Sequence, residues 1–206
     1  MAGRRNVIIG CVGRRGSGKS TVLRRLLETC PRLAVLDVVG EHGWLPNQLS
    51  PADWERFFCW SHGRDRWAAA CIPEDLDSDV PAFARAVYER GDCVVGWEEL
   101  PMYSAPGHLD PALDKIIRLG RHRRISLIWT AQRAAEVPRR VTAATDWFIL
   151  FRQTEPRDLD ALEERCGPEI RERIGALGAH DYLVWDVVAG GQADLAAVKQ
   201  SLLETF

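Results

Sequence analysis

Lysine is almost missing from this chain. Only Lys19, Lys115 and Lys199 stand among 27 basic residues, the rest being arginine, and 29 acidic residues leave a formal charge of −2. A near-neutral chain cannot coat a polyanion over its whole surface, so any contact with nucleic acid has to come from a local patch. Long apolar runs are missing too. No stretch approaches the ~20 residues needed to span a bilayer, and the opening MAGRR leads directly into a short apolar strand instead of a signal peptide with a cleavage site. The expectation is a soluble, cytoplasmic protein with no membrane insertion. The six cysteines (Cys11, Cys30, Cys59, Cys71, Cys93, Cys166) contain no CxxC pair and sit mostly in apolar runs, so they read as reduced core thiols. Cys59 and His62 in CWSH, with Cys71 and His42 as conceivable partners, lack the four-ligand spacing of a structural metal site. Low-complexity tracts, internal repeats and linkers are absent. With 46% apolar and 27% charged residues the composition is that of a folded chain, and 206 residues suffice for one sizeable core, so residues 1–206 are expected to form a single domain.

What is present alternates. NVIIGCV (6–12) reads as a buried parallel strand, and KSTVLRRLLETC as a helix with Val22, Leu23, Leu26 and Leu27 inward and Arg24 and Arg25 outward. RLAVLDVVG is a second strand ending near Asp37 or Val39. The stretch 41–67, with Trp44, Trp54, Trp60 and Trp67, is irregular apart from a short helix around 51–59. It is either a partner-facing surface or a satellite core beneath a loop. WAAACIP is a strand, SDVPAFARAVYER a helix capped by Ser78 or Asp79 and stopped at Gly91, and DCVVGWEEL a strand. DPALDKIIRLGRHRR is a helix capped by Asp110 with Pro111 in its first turn, followed by the strand ISLIWTAQR. VTAATDWFILFR is a further strand, PRDLDALEERCG and EIRERIGALG are helices, and DYLVWDVV is a last strand or hairpin arm. Strands alternating with helices predict an α/β fold with a mostly parallel sheet and helices on both faces.

Between the first strand and the first helix lies GRRGSGKS (13–20), which fits G-x-x-x-x-G-K-[ST] without a gap. Glycines let the backbone N–H groups curl around phosphate, and the helix N-terminus adds its dipole. Gly13, Gly16, Ser17, Gly18, Lys19, Ser20 and Thr21 are therefore the expected phosphate cradle, with Lys19 on phosphate oxygens and Ser20 on magnesium. The ligand expected is ATP with Mg²⁺. Glu98 and Glu99 follow the apolar CVVGW, at the strand end where such sheets bind ligands. Glu98 is assigned to magnesium and Glu99 to the attacking water, the two carboxylate tasks of such a site. Gln132, at the tip of SLIWTAQR, is the expected γ-phosphate sensor.

The order GRRGSGKS, VLDVVGEH, CVVGWEEL and LGRHRRISLIWTAQRAAEVPRRVTAATDWFILFR resembles the FtsK–HerA superfamily of P-loop ATPases. In that family a helix ending in a Gly-Arg pair precedes a strand ending in Thr-Gln-Arg, with a proline and another strand after it. The match spans roughly residues 6–153, leaving 156–206 poorly aligned. The resemblance implies a RecA-like (ASCE) P-loop core in which one strand is inserted between the P-loop strand and the Glu98–Glu99 strand. It also implies ATP hydrolysis coupled to DNA translocation, by a ring that is usually a hexamer. Lys19 and Ser20 fall on Walker A, Glu99 on the catalytic acid and Gln132 on the polar sensor, while Glu98 stands where an aspartate is usual. Arg121 and Arg152 are the preferred arginine fingers, and RLGRHRR the patch for DNA phosphates. Minimal cores of this length resemble the genome-packaging ATPases of internal-membrane, double jelly-roll viruses. This implies double-stranded DNA as substrate, capsid vertex proteins as partners, and host cytoplasm or virion as location. The alternatives are a P-loop small-molecule kinase, a filamentous-phage assembly or other HerA-like ATPase, and a nucleotide-binding scaffold.

Overall fold

The computed structural model describes residues 6–206, so the MAGRR stretch lies outside the described residues. One nine-stranded sheet organises the chain. In chain order its strands are β1 (Ile8–Val12), β2 (Arg32–Leu36), β3 (Asn47–Leu49), β4 (Trp67–Cys71), β5 (Cys93–Trp97), β6 (Ile125–Ala131), β7 (Trp147–Phe151), β8 (Tyr182–Asp186) and β9 (Gly191–Ala193). The spatial order is β3-β4-β2-β5-β6-β1-β7-β8-β9. Pairing is parallel from β3 through β7, and the β8–β9 hairpin adds two antiparallel strands at one edge. β6 therefore lies between β1 and β5, as the resemblance implies.

Alternate residues of each strand face opposite layers, because side chains along a strand have a period of two. Ile9 and Cys11 pack with helix α1 (Lys19–Leu27) and the terminal helix α8 (Leu195–Leu203). The inward side chains of α1 are Val22, Leu23, Leu26 and Leu27. Each contributes about 1.5–3 kcal/mol by leaving water. Ile8 and Val12 face the other layer, which holds α2 (Pro51–Ser61), α3 (Leu76–Arg90), α4 (Pro111–Leu119), α5 (Arg139–Ala143), α6 (Pro156–Cys166) and α7 (Ile170–Gly175). Gly10 sits on that side directly opposite Trp129, whose ring crosses it so closely that a Cβ would lie 2.3 Å from Cζ2.

Several boundaries differ from those read in the sequence. The cap of α3 is Asp75, which accepts from Asp77 N–H, and not Ser78 or Asp79; Asp79 turns back to accept from the N–H groups of Glu74 and Asp75. Asp110 does cap α4, accepting from Ala112 and Leu113 N–H. The first residues of VTAATDWFILFR belong to α5, and β7 starts only at Trp147. DYLVWDVV supplies a hairpin arm, but β9 and α8 follow it, so 156–206 completes the sheet and covers one of its faces. In the tryptophan-rich stretch Trp54 and Trp67 are buried in the main core with Phe58 and Phe83. Trp60 is half-exposed beneath Arg64, 3.9 Å away.

Five of the six cysteines are buried and all six are free. Burial pushes the Cys11, Cys30, Cys93 and Cys166 thiols up to about 12, which makes them inert packing groups. Among the described residues no helix is long and apolar enough to cross a membrane.

Candidate functional site

The parallel strands deliver their loops to one edge of the sheet, and the phosphate loop leaves from β1 at its middle. Gly13 N–H donates to Ala131 O at 3.1 Å and Ser17 N–H to Arg14 O at 3.2 Å. The chain thus doubles back before α1. Gly16 and Gly18 have φ of 76° and 104°, a left-handed backbone that other residues adopt only with strain. A loop of this shape opening onto a helix N-terminus is an anion site, through its free N–H groups and the helix dipole. Lys19 Nζ folds over the loop, donating to Gly13 O at 2.5 Å and Arg14 O at 3.3 Å. Ser17 Oγ is buried there without a partner among the described residues.

Next to the loop opens a cleft of about 720 Å³. Gly16, Gly18, Lys19, Ser20 and Thr21 form one wall, and Glu98, Glu99, Thr130 and Gln132 the other. Glu99 is one of three non-glycine residues with positive φ (42°) among those described. Its N–H donates to Thr130 Oγ1 at 2.8 Å, and Gln132 Nε2 lies 3.4 Å from its Oε1. The backbone of Gln132 is itself held, since Gln153 Nε2 reaches its carbonyl at 3.5 Å. Asp158 ties down the following turn through Arg133 (3.2 Å) and Ala135 N–H (2.9 Å). Glu99 and Gln132, 33 positions apart, are thereby brought together beside Lys19.

Glu98 sits differently. It is buried, and its Oε1 lies 2.6 Å from His42 Nε2, while its Oε2 has no partner among the described residues. His42 arrives from the loop after β2, where Asp37 accepts from Gly40 N–H (2.8 Å), Glu41 N–H (3.0 Å) and His42 N–H (2.9 Å). Burial, helped by Asp37 and Glu41, raises the Glu98 pKa against the opposing pull of His42. Burial disfavours charge on His42, yet its bond to Glu98 and the nearby carboxylates outweigh that and raise its pKa too. The pair therefore keeps a proton to higher pH than the free groups would. Asp37, His42 and Glu98 are the one convergent group of metal-ligating side chains among the described residues. The three backbone bonds on Asp37 mark that group as a hydrogen-bonded anchor. Cys59, His62 and Cys71 do not join it.

Sequence reasoning missed Asp37, Glu41, His42 and His180 as parts of this region. His180, from the turn before β8, lines the cleft at the phosphate loop, its Nδ1 3.4 Å from Ser17 O. The signal for the first three was visible, since VLDVVGEH ends a strand neighbouring β5 with polar residues at the ligand-binding edge. Ser20 Oγ donates a hydrogen bond to the Glu41 carboxylate.

Magnesium takes hard oxygen donors and usually keeps several waters. Ser20 Oγ and the unpartnered Oε2 of Glu98 are such donors on the cleft wall, so the residues present fit the ion.

The arginines divide. Arg152, at the end of β7, borders the phosphate loop beside Arg14, Arg15 and His180. Arg121 lies before β6, at the opposite edge of the sheet, and cannot reach the cleft of its own chain. In the basic stretch around it, Arg123 donates to the carbonyls of Tyr88 and Glu89, and Arg124 pairs with Asp92 at 3.1 Å. Arg123 and Arg124 thus brace the turn between α3 and β5. Arg121 is exposed and forms no ion pair among the described residues.

No family model matches this sequence, and a search of curated proteins finds no match either. Solved structures do match. The genome packaging NTPase B204 from Sulfolobus turreted icosahedral virus 2, in complex with AMPPCP, aligns with a TM-score of 0.76 and 21% identity, over 91% of this chain and 95% of that one. The same protein in complex with ATP-γS aligns at TM-score 0.73 and 20% identity, over the same shares of the two chains. The DNA-packaging ATPase from Sulfolobus turreted icosahedral virus gives 0.69 and 18%, again over 91% and 95%. The likeness establishes the fold: an α/β P-loop NTPase architecture along nearly the whole chain.

Proposed function

We propose that this chain is an ATP-hydrolysing motor that moves double-stranded DNA, as in viral genome packaging. The observation that carries the reading is the convergence, on one cleft, of a complete phosphate loop with Glu99 and Gln132. The neighbours support it, because proteins of this fold and length are described as packaging NTPases and two of the structures hold ATP analogues.

In this reading the N–H groups of residues 13–19 and the Lys19 ammonium bind the β- and γ-phosphates. Mg²⁺, held by Ser20 and Glu98, neutralises charge on the phosphates when bound. Glu99 accepts the proton of the attacking water. Its carboxylate is aimed by the Thr130 bond to its backbone and by Gln132, which also touches the γ-phosphate and so reports its presence. Water is favoured as the acceptor over a second substrate because Glu99, a carboxylate base, and Gln132, a polar positioner, stand together on the cleft wall beside Lys19.

Transfer of the phosphoryl group builds charge that an arginine from a neighbouring copy offsets, by ~10³ to 10⁵ in rate where such a finger acts. Arg121, exposed at the far edge of the sheet, suits that task between subunits of a ring, with a hexamer as the expected assembly. Arg152 acts from its place beside the phosphate loop. Arg118, exposed on the same basic stretch, contributes to the DNA-facing patch, whose contacts with phosphates are independent of sequence. All 206 residues act as one ATPase unit, in host cytoplasm or at the capsid vertex.

Triplex displacement tests the reading. A third strand annealed to linear double-stranded DNA should be released in an ATP-dependent manner by the native protein and not by Lys19→Ala. Release without ATP, or none under conditions where ATP is hydrolysed, contradicts translocation.

A further inference from the structure

We propose that Glu41, on the loop after β2, completes the cation site with Ser20 and Glu98, and that Asp37 and His42 are the positioning residues that hold it there. The proposal rests on the reading that the cleft takes ATP with a divalent cation.

The residues on either side of the peptide bond between 41 and 42 point to opposite places. Asp37 accepts from three successive backbone N–H groups, from Gly40 to His42, and Gly40 makes the turn with φ of 73°. His42 then runs back into the protein onto Glu98 Oε1 at 2.6 Å. Glu41 runs outward into the cleft, and its carboxylate accepts the Ser20 hydroxyl. One short loop thus fixes both a carboxylate at the phosphate-loop serine and the orientation of the carboxylate at the end of β5.

Glu98 gives the independent pointer to a ligand. It is 5% exposed and lines the cleft, yet Oε2 has no hydrogen-bond donor among the described residues. A buried carboxylate oxygen without a donor is a costly arrangement that a bound cation relieves. With Oε1 committed to His42, Glu98 offers one oxygen. Ser20 and Glu41 supply two more hard donors from across the cleft, leaving other positions for phosphate and water. The charges agree. Glu41, Glu98 and Glu99 put three carboxylates where a triphosphate has to lie, against Lys19 and Arg15, so anion binding there calls for a divalent cation. In this account Glu41 makes up for the Glu98 carboxylate oxygen that His42 occupies.

The test uses Mn²⁺ as the probe ion, followed by electron paramagnetic resonance, with AMPPCP as a nucleotide that is not hydrolysed. Native protein, Glu41→Gln and Glu41→Asp are compared, each checked for nativeness by circular dichroism and Tm. Glu41→Gln should weaken Mn²⁺ binding in the presence of AMPPCP by at least about tenfold. Its AMPPCP affinity in EDTA should be unchanged or higher, because a negative charge has left the cleft. Glu41→Asp should fall between the two. Mn²⁺ affinity in Glu41→Gln equal to or tighter than native would overturn the proposal and make Glu41 a cap on Ser20. Failure of the native protein itself to bind Mn²⁺ with AMPPCP would instead remove the ATPase reading, and the role of Glu41 with it.

Discussion

Gly10→Ala adds a single methyl group to the strand that carries the phosphate loop, and the structure says where it goes. The new Cβ would stand 2.3, 2.7 and 2.8 Å from Trp129 Cζ2, Cε2 and Cη2. Comfortable carbon–carbon contact is about 3.5–4.0 Å, so the indole has to retreat by about 1 Å or more. It has little room. Trp129 is fully buried, its Nε1 donates to Thr145 Oγ1 at 3.0 Å, and its ring meets Phe148 edge-on with centroids 5.9 Å apart. Overpacking of this kind costs about 1–3 kcal/mol, and a displaced indole N–H left without its acceptor about 1–3 kcal/mol more. The better strand propensity of alanine returns no more than about 1 kcal/mol. A net loss of about 2–4 kcal/mol is expected, which for a chain of this size lowers Tm by roughly 5–15 °C. Urea unfolding followed by tryptophan fluorescence measures the loss, with Gly175→Ala as control because nothing lies within 4 Å of its Cβ. Because Trp129 precedes Thr130, which holds Glu99, hydrolysis should fall as well. A Gly10→Ala protein within 0.5 kcal/mol of native would refute the packing argument.

Two further predictions follow from the same geometry. Glu99 has a left-handed backbone that costs a non-glycine residue about 1–2 kcal/mol, while its hydrogen bond to Thr130 is made by the backbone. Glu99→Gly should therefore be about 1 kcal/mol more stable than native in urea while losing hydrolysis; a less stable variant would show that the backbone there is not strained. The raised pKa values of His42 and Glu98 mean that the folded chain binds more protons than the unfolded one above their ordinary values of 6.5 and 4.5. Stability from the pair is full below those values and is lost as pH rises through the folded ones. In EDTA the native protein should lose more unfolding free energy between pH 6 and pH 9 than His42→Gln/Glu98→Gln. An equal or steeper loss in the double variant would contradict the shift.

Much of this was legible because it is local. The apolar runs that became β1, β2, β5, β6 and β7 are short, continuous and bounded by glycine or charge, which is what a doubly covered parallel strand requires. The phosphate loop announces itself because its glycines answer backbone demands within eight residues. β3 was not legible, since Asn47–Leu49 is three residues long and gains its strand character only from pairing with β4. α5 was hidden because Val141 and Thr142 favour strands, and packing overrode that preference. The Asp75 cap competed with two equally suitable neighbours. At the site, Glu99 and Gln132 could be named from their places at strand ends, whereas the contact of His42 with Glu98 spans 56 positions and exists only once β2 and β5 are neighbours. The basic run 118–124 looked uniform in sequence, yet Arg123 and Arg124 brace a turn while Arg121 makes no ion pair among the described residues.

We propose that this cleft hydrolyses ATP and that DNA stimulates the reaction. Phosphate release by the purified chain, with and without double-stranded DNA and beside Glu99→Gln, tests it most directly. The account predicts release that DNA stimulates and that Glu99→Gln reduces at least a hundredfold while still binding nucleotide. ATP bound by the native chain with no phosphate released under any DNA condition, or full activity in Glu99→Gln, would contradict it.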